Sequence, residues 1–379
     1  MQHLFKPRHL IRSLHLALAL TVGTLFMILG LTGSVNVFMT ELEELGLPPV
    51  SQAAARADLD RILLEVKARH PDKNHGWTLT LPGHDRDYLW LEYLRPKETE
   101  GELYAPLRVL VNPNSGEIVS ETFWGRTVWS LIYEIHADLL LGKFDATLGR
   151  TALKTICFSG LLIIAGLVSG LWLWWPKQGN FGKALTIKTK TSWARRLYDI
   201  HKTAGLAGFI LLLVISFTGF AFAYADEIES VVTVFSDVQA RRNRPPPDLS
   251  SHGEGAMIGI EQVLTIAART FPEARPRRIR TPANAGGVYA VESRQPGEAN
   301  DRAPRSRVFI DAYSGTILAT ENPRQFTAGE TFMNLLWPLH SGEALGLPGR
   351  IIWALSGFLP ATLWLTGLLR WRQKARPPV

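Results

Sequence analysis

Histidines at the ends of apolar helices are the residues whose spacing could carry chemistry in this chain. Arg12-Ser-Leu-His15 leads into an apolar run ending at Thr32-Gly33, and Arg196-Leu-Tyr-Asp-Ile-His201 leads into one ending at Thr218-Gly219. In both, the histidine stands eighteen residues before the glycine. A second pair of segments repeats as well: Glu134-Ile-His136…Gly142…Gly149-Arg150 and Pro338-Leu-His340…Gly346…Gly349-Arg350, each ahead of another apolar stretch. Neutral imidazole is an axial ligand of haem iron, so four such histidines are what two doubly ligated haems need. For any one of them, an interfacial histidine that merely hydrogen-bonds is the ordinary alternative. Their equivalent placement in two repeats favours ligation, with His15, His201, His136 and His340 as the metal ligands.

The elements that must position them are set by hydropathy. Hydrophobic residues make up 46% of the 379, and mean hydropathy is close to zero. That balance fits four membrane spans joined by sizeable polar loops. The expected spans are residues 13–39, 151–175, 203–225 and 350–371. Residues 128–142 and 329–341 read as helices lying on the membrane surface, anchored by Trp129, Tyr133 and Trp337. The short segments 1–12, 176–202 and 372–379 are rich in Lys and Arg, which puts them and both termini in the cytoplasm. Residues 40–127 and 226–328 then face outward. This topology assigns His15 with His201 to the inner face and His136 with His340 to the outer one.

The outer loops repeat each other. Each opens with a helical stretch (Ala57–His70 and Ile260–Arg269), continues with alternating strands, and ends in a hairpin. Asn112 to Gly116 and Asp311 to Gly315 have the same spacing in those hairpins. One unit of helix, outer domain and helix is expected to occur twice. The stretch Arg241–Pro247 through Gly255 reads as an exposed linker.

Other chemistries find little support. Cys157 is the sole cysteine, so covalent haem attachment, iron–sulfur and Cys-rich zinc sites are excluded and any haem is held non-covalently. The net charge of +7 and pI near 9.5 follow from the basic cytoplasmic segments and give no reason to expect nucleic acid. There is no phosphate loop, dinucleotide fingerprint or His-Glu-x-x-His. His3, His9, His70, His75, His84 and His252 lack repeat partners and read as solvated. Arg275, Arg277, Arg278 and Arg280 read as a solvated basic strand face, with attraction of an anion as the alternative. Gly30, Gly33, Gly166, Gly170, Gly205 and Gly208 would admit close helix packing or a flat macrocycle. Arg150 and Arg350 begin spans, where they would either meet haem propionates or snorkel.

These residues together resemble the PepSY-associated transmembrane helix family: Leu14-His15…Thr32-Gly33, His136…Gly142…Gly149, His201…Gly219, Leu339-His340-Ser-Gly342…Gly346-Leu-Pro-Gly349, and the two Asn/Asp-x-x-Ser-Gly turns. The resemblance implies an α-helical integral membrane protein of the bacterial inner membrane, with four transmembrane helices from a duplicated unit and two small α+β PepSY-like periplasmic domains. It also implies a role in iron uptake as a dihaem reductase of ferric siderophores, of which a ferrioxamine-type hydroxamate is one candidate. The cofactors would be two haem b, each bound by two histidines, with quinol or a cytoplasmic donor supplying electrons and the lipid bilayer as surroundings. Two other classes remain open at this point. One is a non-redox PepSY-type ligand-binding or regulatory protein; the other is a siderophore permease, for which four spans without an intramembrane acid or a broken helix offer little.

Overall fold

The computed structural model describes residues 7–51, 56–176, 181–238, 249–253 and 255–375. His3, Lys6, Lys177, Arg376 and the expected linker around Arg241–Pro247 lie outside the described residues. The first helix is α1 (Pro7–Asn36). It is followed by α2 (Met39–Glu43), α3 (Leu59–Arg69), β1 (Trp77–Thr80), β2 (Leu89–Tyr93), β3 (Leu107–Val111), β4 (Ile118–Phe123), α4 (Val128–Asp138) and α5 (Ala146–Trp174). After a short α6 (Phe181–Leu185) the order recurs. It runs α7 (Trp193–Ala223), α8 (Ala225–Val232), α9 (Ile260–Thr270), β5 (Arg275–Arg280), β6 (Val288–Arg294), β7 (Ser306–Asp311), β8 (Ile317–Glu321), α10 (Ala328–Ser341), α11 (Gly346–Ser356) and α12 (Phe358–Ala375).

Among the described residues four helical segments are long and apolar enough to cross a membrane: α1, α5, α7 and the run from Glu343 to Gln373 that takes in α11 and most of α12. They close a ring in which α1 and α7 each pack on both α5 and α12. The fourth span is not the unbroken helix expected. Pro360 has no N–H for the Ser356 carbonyl one turn earlier, and the helix is interrupted at Gly357. A side chain at Gly357 would run into the Gly30 carbonyl and Ser34 of α1, and Ser34 Oγ donates to Ala354 O at 2.7 Å. The break is therefore packed shut against α1.

Two separate outer domains were expected; the structure has one eight-stranded antiparallel sheet. Its order is β4-β3-β2-β1-β5-β6-β7-β8, and β1 pairs with β5 through Thr78–Arg280, Leu79–Ile279 and Thr80–Arg278. Each half alone would leave an edge strand with unpaired backbone groups, and joining the two edges satisfies both. Leu79 and Ile279 are fully buried at the seam in one core that draws on both halves. Helices α3 and α9 cover that core and cap each other. Asp60 accepts from the Ile260 and Glu261 N–H groups (2.5 and 3.2 Å), while Glu261 accepts from the Leu59 N–H at 3.1 Å.

The strand period of two sends alternate side chains to the opposite, membrane-facing side of the sheet. There the basic stretch proves to be paired rather than solvated. Arg278 and Arg280 both reach the buried Glu292, at 3.0 and 2.9 Å. Arg277 donates to Leu81 O and meets Asp85, so only Arg275 of the four fits the expectation. Burial alone would raise the Asp85 carboxyl, but the guanidinium groups of Arg86, Arg277 and Arg302 hold it well below the usual carboxylate range.

Helices α4 and α10 sit between sheet and spans. Each starts with a reciprocal cap, Thr127 with Ser130 and Thr327 with Glu330. The repeated glycines then let the chain turn tightly into the next span: Gly149 lies against Gly142, and Gly349 against Gly342, with no room for a side chain at either contact.

Candidate site built on two histidine pairs

Each of the four histidines lies on one helix and is held by a neighbour. His15 on α1 places Nδ1 3.1 Å from Gly166 O and 3.0 Å from Ser169 Oγ, both on α5. His201 on α7 does the same on α12, with Leu363 O at 3.1 Å and Thr366 Oγ1 at 3.0 Å. His136 on α4 uses Leu29 O at 3.0 Å and Thr32 Oγ1 at 3.1 Å on α1. His340 on α10 uses Thr218 Oγ1 at 3.0 Å and the Ile215 carbonyl on α7.

The chemistry of these contacts fixes a tautomer. A carbonyl oxygen only accepts, so Nδ1 must carry the proton and donate. Nε2 is then the deprotonated nitrogen with a lone pair, and none of the four has a hydrogen-bond partner among the described residues. A glycine follows each hydroxyl residue, and the ring lies against it. A Cβ at Gly33, Gly170, Gly219 or Gly367 would stand 3.0, 3.1, 3.3 or 3.5 Å from Cε1 of His136, His15, His340 or His201.

The ring centres of His15 and His201 are 6.4 Å apart, and those of His136 and His340 are 6.3 Å apart. Neither pair is hydrogen-bonded to itself. Two imidazoles that share one ion at a nitrogen distance of about 2 Å have their centres roughly 6 Å apart. Among the described residues no three or more His, Cys, Asp or Glu gather as a site for a bare metal ion. Two nitrogen donors complete an ion that brings its other ligands, as haem iron does. The donor set thus fits haem.

The pairs lie toward opposite ends of the ring of spans. His15 and Gly33, the contact of His136, are separated along α1 by eighteen residues, or roughly 27 Å of helix. The pair nearer the sheet opens on a cavity of about 1040 Å³ that extends to the underside of the sheet, to Trp90, Arg108 and Arg278. Asn36, Trp337 and Trp353 line it, and each keeps a buried amide or indole nitrogen without a hydrogen-bond partner.

Arg150 and Arg350 are not equivalent, contrary to the repeat. Arg150 lines this cavity, with its guanidinium 3.4 Å from Thr147. Arg350 is buried and turned away: it donates to Val37 O at 2.7 Å, pairs with Glu41 at 2.5 Å and lies over the Phe38 ring. That guanidinium ties α11 to α2 and the turn before it rather than reaching toward the cavity. Two other histidines depart from the solvated reading: His84 meets Asp301 at 2.5 Å, and His70 is largely buried, with its Nε2 3.5 Å from Glu121 and not hydrogen-bonded.

Ser169-Gly170 and Thr366-Gly367 are the site residues that the repeat alone does not reveal. Gly170 stands twenty residues after Arg150, whereas Gly367 stands seventeen after Arg350, so the offset is not kept. The available signal is a Ser/Thr-Gly pair in every one of the four spans.

Fold and site together define a four-span helical membrane protein that carries one composite β-sheet at one end and two histidine pairs within and beside its spans. The chain belongs to the family described as the PepSY-associated TM region, which matches residues 12–374. No curated protein matches the chain.

Proposed function

We propose that this protein is an inner-membrane dihaem electron-transfer protein that reduces a ferric siderophore outside the membrane and so releases iron(II) during iron uptake. The observation that carries the haem reading is the spacing of the two histidine pairs, 6.4 and 6.3 Å between ring centres, with every Nδ1 occupied and every Nε2 free. Bound there, haem b would supply one-electron transfer at an iron with both axial positions filled. His15 and His201 would hold one group and His136 and His340 the other. Arg150, which lines the cavity, is the cation available to a carboxylate beside the second.

The basic segments orient the termini to the cytoplasm and the sheet to the periplasm. His15 and His201 are then the pair nearer a quinol or cytoplasmic donor. The cavity beside His136 and His340 faces the sheet and a docked ferric chelate. Hydroxamate-type oxygens hold iron(III) far better than iron(II), so reduction favours release. The reductase class and the siderophore substrate follow from the family resemblance; the haem pairs follow from the site. The test is a spectrum of purified protein followed by anaerobic mixing of the dithionite-reduced form with ferrioxamine and other ferric chelates. A reducible Soret band that reoxidises on mixing supports the proposal. Absence of the band sinks the haem assignment, and a band indifferent to every chelate sinks the siderophore assignment.

A further inference from the structure

We propose that Thr32, Ser169, Thr218 and Thr366 are positioning residues, one for each histidine, that orient the ring beside the carbonyl and raise the donor strength of the ligating nitrogen. This deepens the dihaem reading and rests on it. The same clamp is built four times on four different helices: a hydroxyl at one position and the backbone carbonyl three residues earlier, both on one Nδ1.

The hydroxyls cannot turn away from this task. Each spends its own proton on its own helix: Ser169 on Gly166 O at 2.8 Å, Thr32 on Ile28 O at 2.8 Å, Thr218 on Val214 O at 2.7 Å and Thr366 on Thr362 O at 2.6 Å. The oxygen is left with a lone pair facing the imidazole, so the Nδ1–H finds two acceptors. Both acceptors are neutral, which keeps the ligand an imidazole rather than drawing it toward imidazolate. An acceptor on the remote nitrogen raises the basicity of the ligating one and favours the ferric state. Removing the hydroxyl should therefore weaken haem retention and raise the potential of that haem alone. Thr21, whose hydroxyl bonds to Ala17 O and Leu18 O of its own helix and to no histidine, supplies the control.

The experiment uses the full-length protein with its native haem complement. Thr218→Val and Thr366→Val keep shape and remove the acceptor; Thr21→Val does so away from any histidine. Haem content and a spectroelectrochemical titration are measured for each. The expected result is that Thr218→Val raises one redox component, Thr366→Val raises the other, and either variant binds its haem about tenfold more weakly. Thr218→Ser restores the wild-type values and Thr21→Val leaves them unmoved. Haem-replete valine variants with wild-type potentials overturn the clamp, as does an equal shift in both components or a shift in Thr21→Val. Wild-type protein that binds no haem overturns the dihaem reading and the clamp with it, a result distinct from those.

Discussion

At the residue scale, the site depends on pairing small groups with rings. His136 approaches Gly33 so closely that a Cβ there would stand 3.0 Å from its Cε1. Under the dihaem proposal, replacing Gly33 with Val is expected to push the ring off its clamp and remove the haem on the sheet side, as His136→Ala would. Haem content measured as the pyridine haemochrome should fall from two per chain to one in either variant. His15→Ala should remove the other haem, and only His15→Ala combined with His136→Ala should empty the protein. A variant of either kind that keeps both haems would refute the assignment of its histidine.

Caps and turns decide matters at the element scale. Asp60 closes the start of α9, whose own N-cap position is Gly259 and offers no side chain. Asp60→Ala should therefore cost about 1 kcal/mol in chemical denaturation, although α3 keeps its cap from Asp58. Asp311 organises the β7–β8 turn. The Ser314 N–H is the strongest influence on its carboxyl, which lies at about 2 despite burial, with further help from the Tyr313 and His252 N–H groups. Its folded value lies below the unfolded value of about 3.9, so its stabilisation is present above pH ~4 and is lost as pH falls toward 2. The first half solves the same turn with Asn112, whose Oδ1 accepts from the Asn114 and Ser115 N–H groups at 3.0 and 3.3 Å. Asp311→Asn should then retain the turn and flatten the acid limb of stability between pH 4 and 2. Asp311→Ala should lose stability at neutral pH as well. Melting curves across that range separate the three proteins.

Across the whole molecule, the two halves meet in the ring of spans and at the β1–β5 seam, and each histidine pair takes one ring from each half. The sheet core crosses the seam, so the outer part should unfold as one cooperative unit. Leu79→Ala and Ile279→Ala should each cost about 2–5 kcal/mol and shift a single transition. Two separable transitions would show that the halves are independent domains.

Much of this was legible in the chain. Period, length and charge bias marked the spans, and the repeated His, Thr-Gly and Ser-Gly positions marked both halves, because hydrophobic burial and turn chemistry act locally. Two of the four clamps were hidden: Ser169 and Thr366 approach their histidines from other helices, at unequal offsets from the preceding arginines. Arg350 looked equivalent to Arg150 until Glu41 and Val37 were seen to occupy it. The join of two outer domains into one sheet was likewise invisible, since an edge strand bears the same alternating pattern whether it ends a sheet or continues one. Sequence alone determined which stretches are apolar and where the histidines and Ser/Thr-Gly pairs fall along them. Tertiary structure decided which ring faces which, and which edge pairs with which, because those contacts depend on groups that only packing brings within a few ångströms.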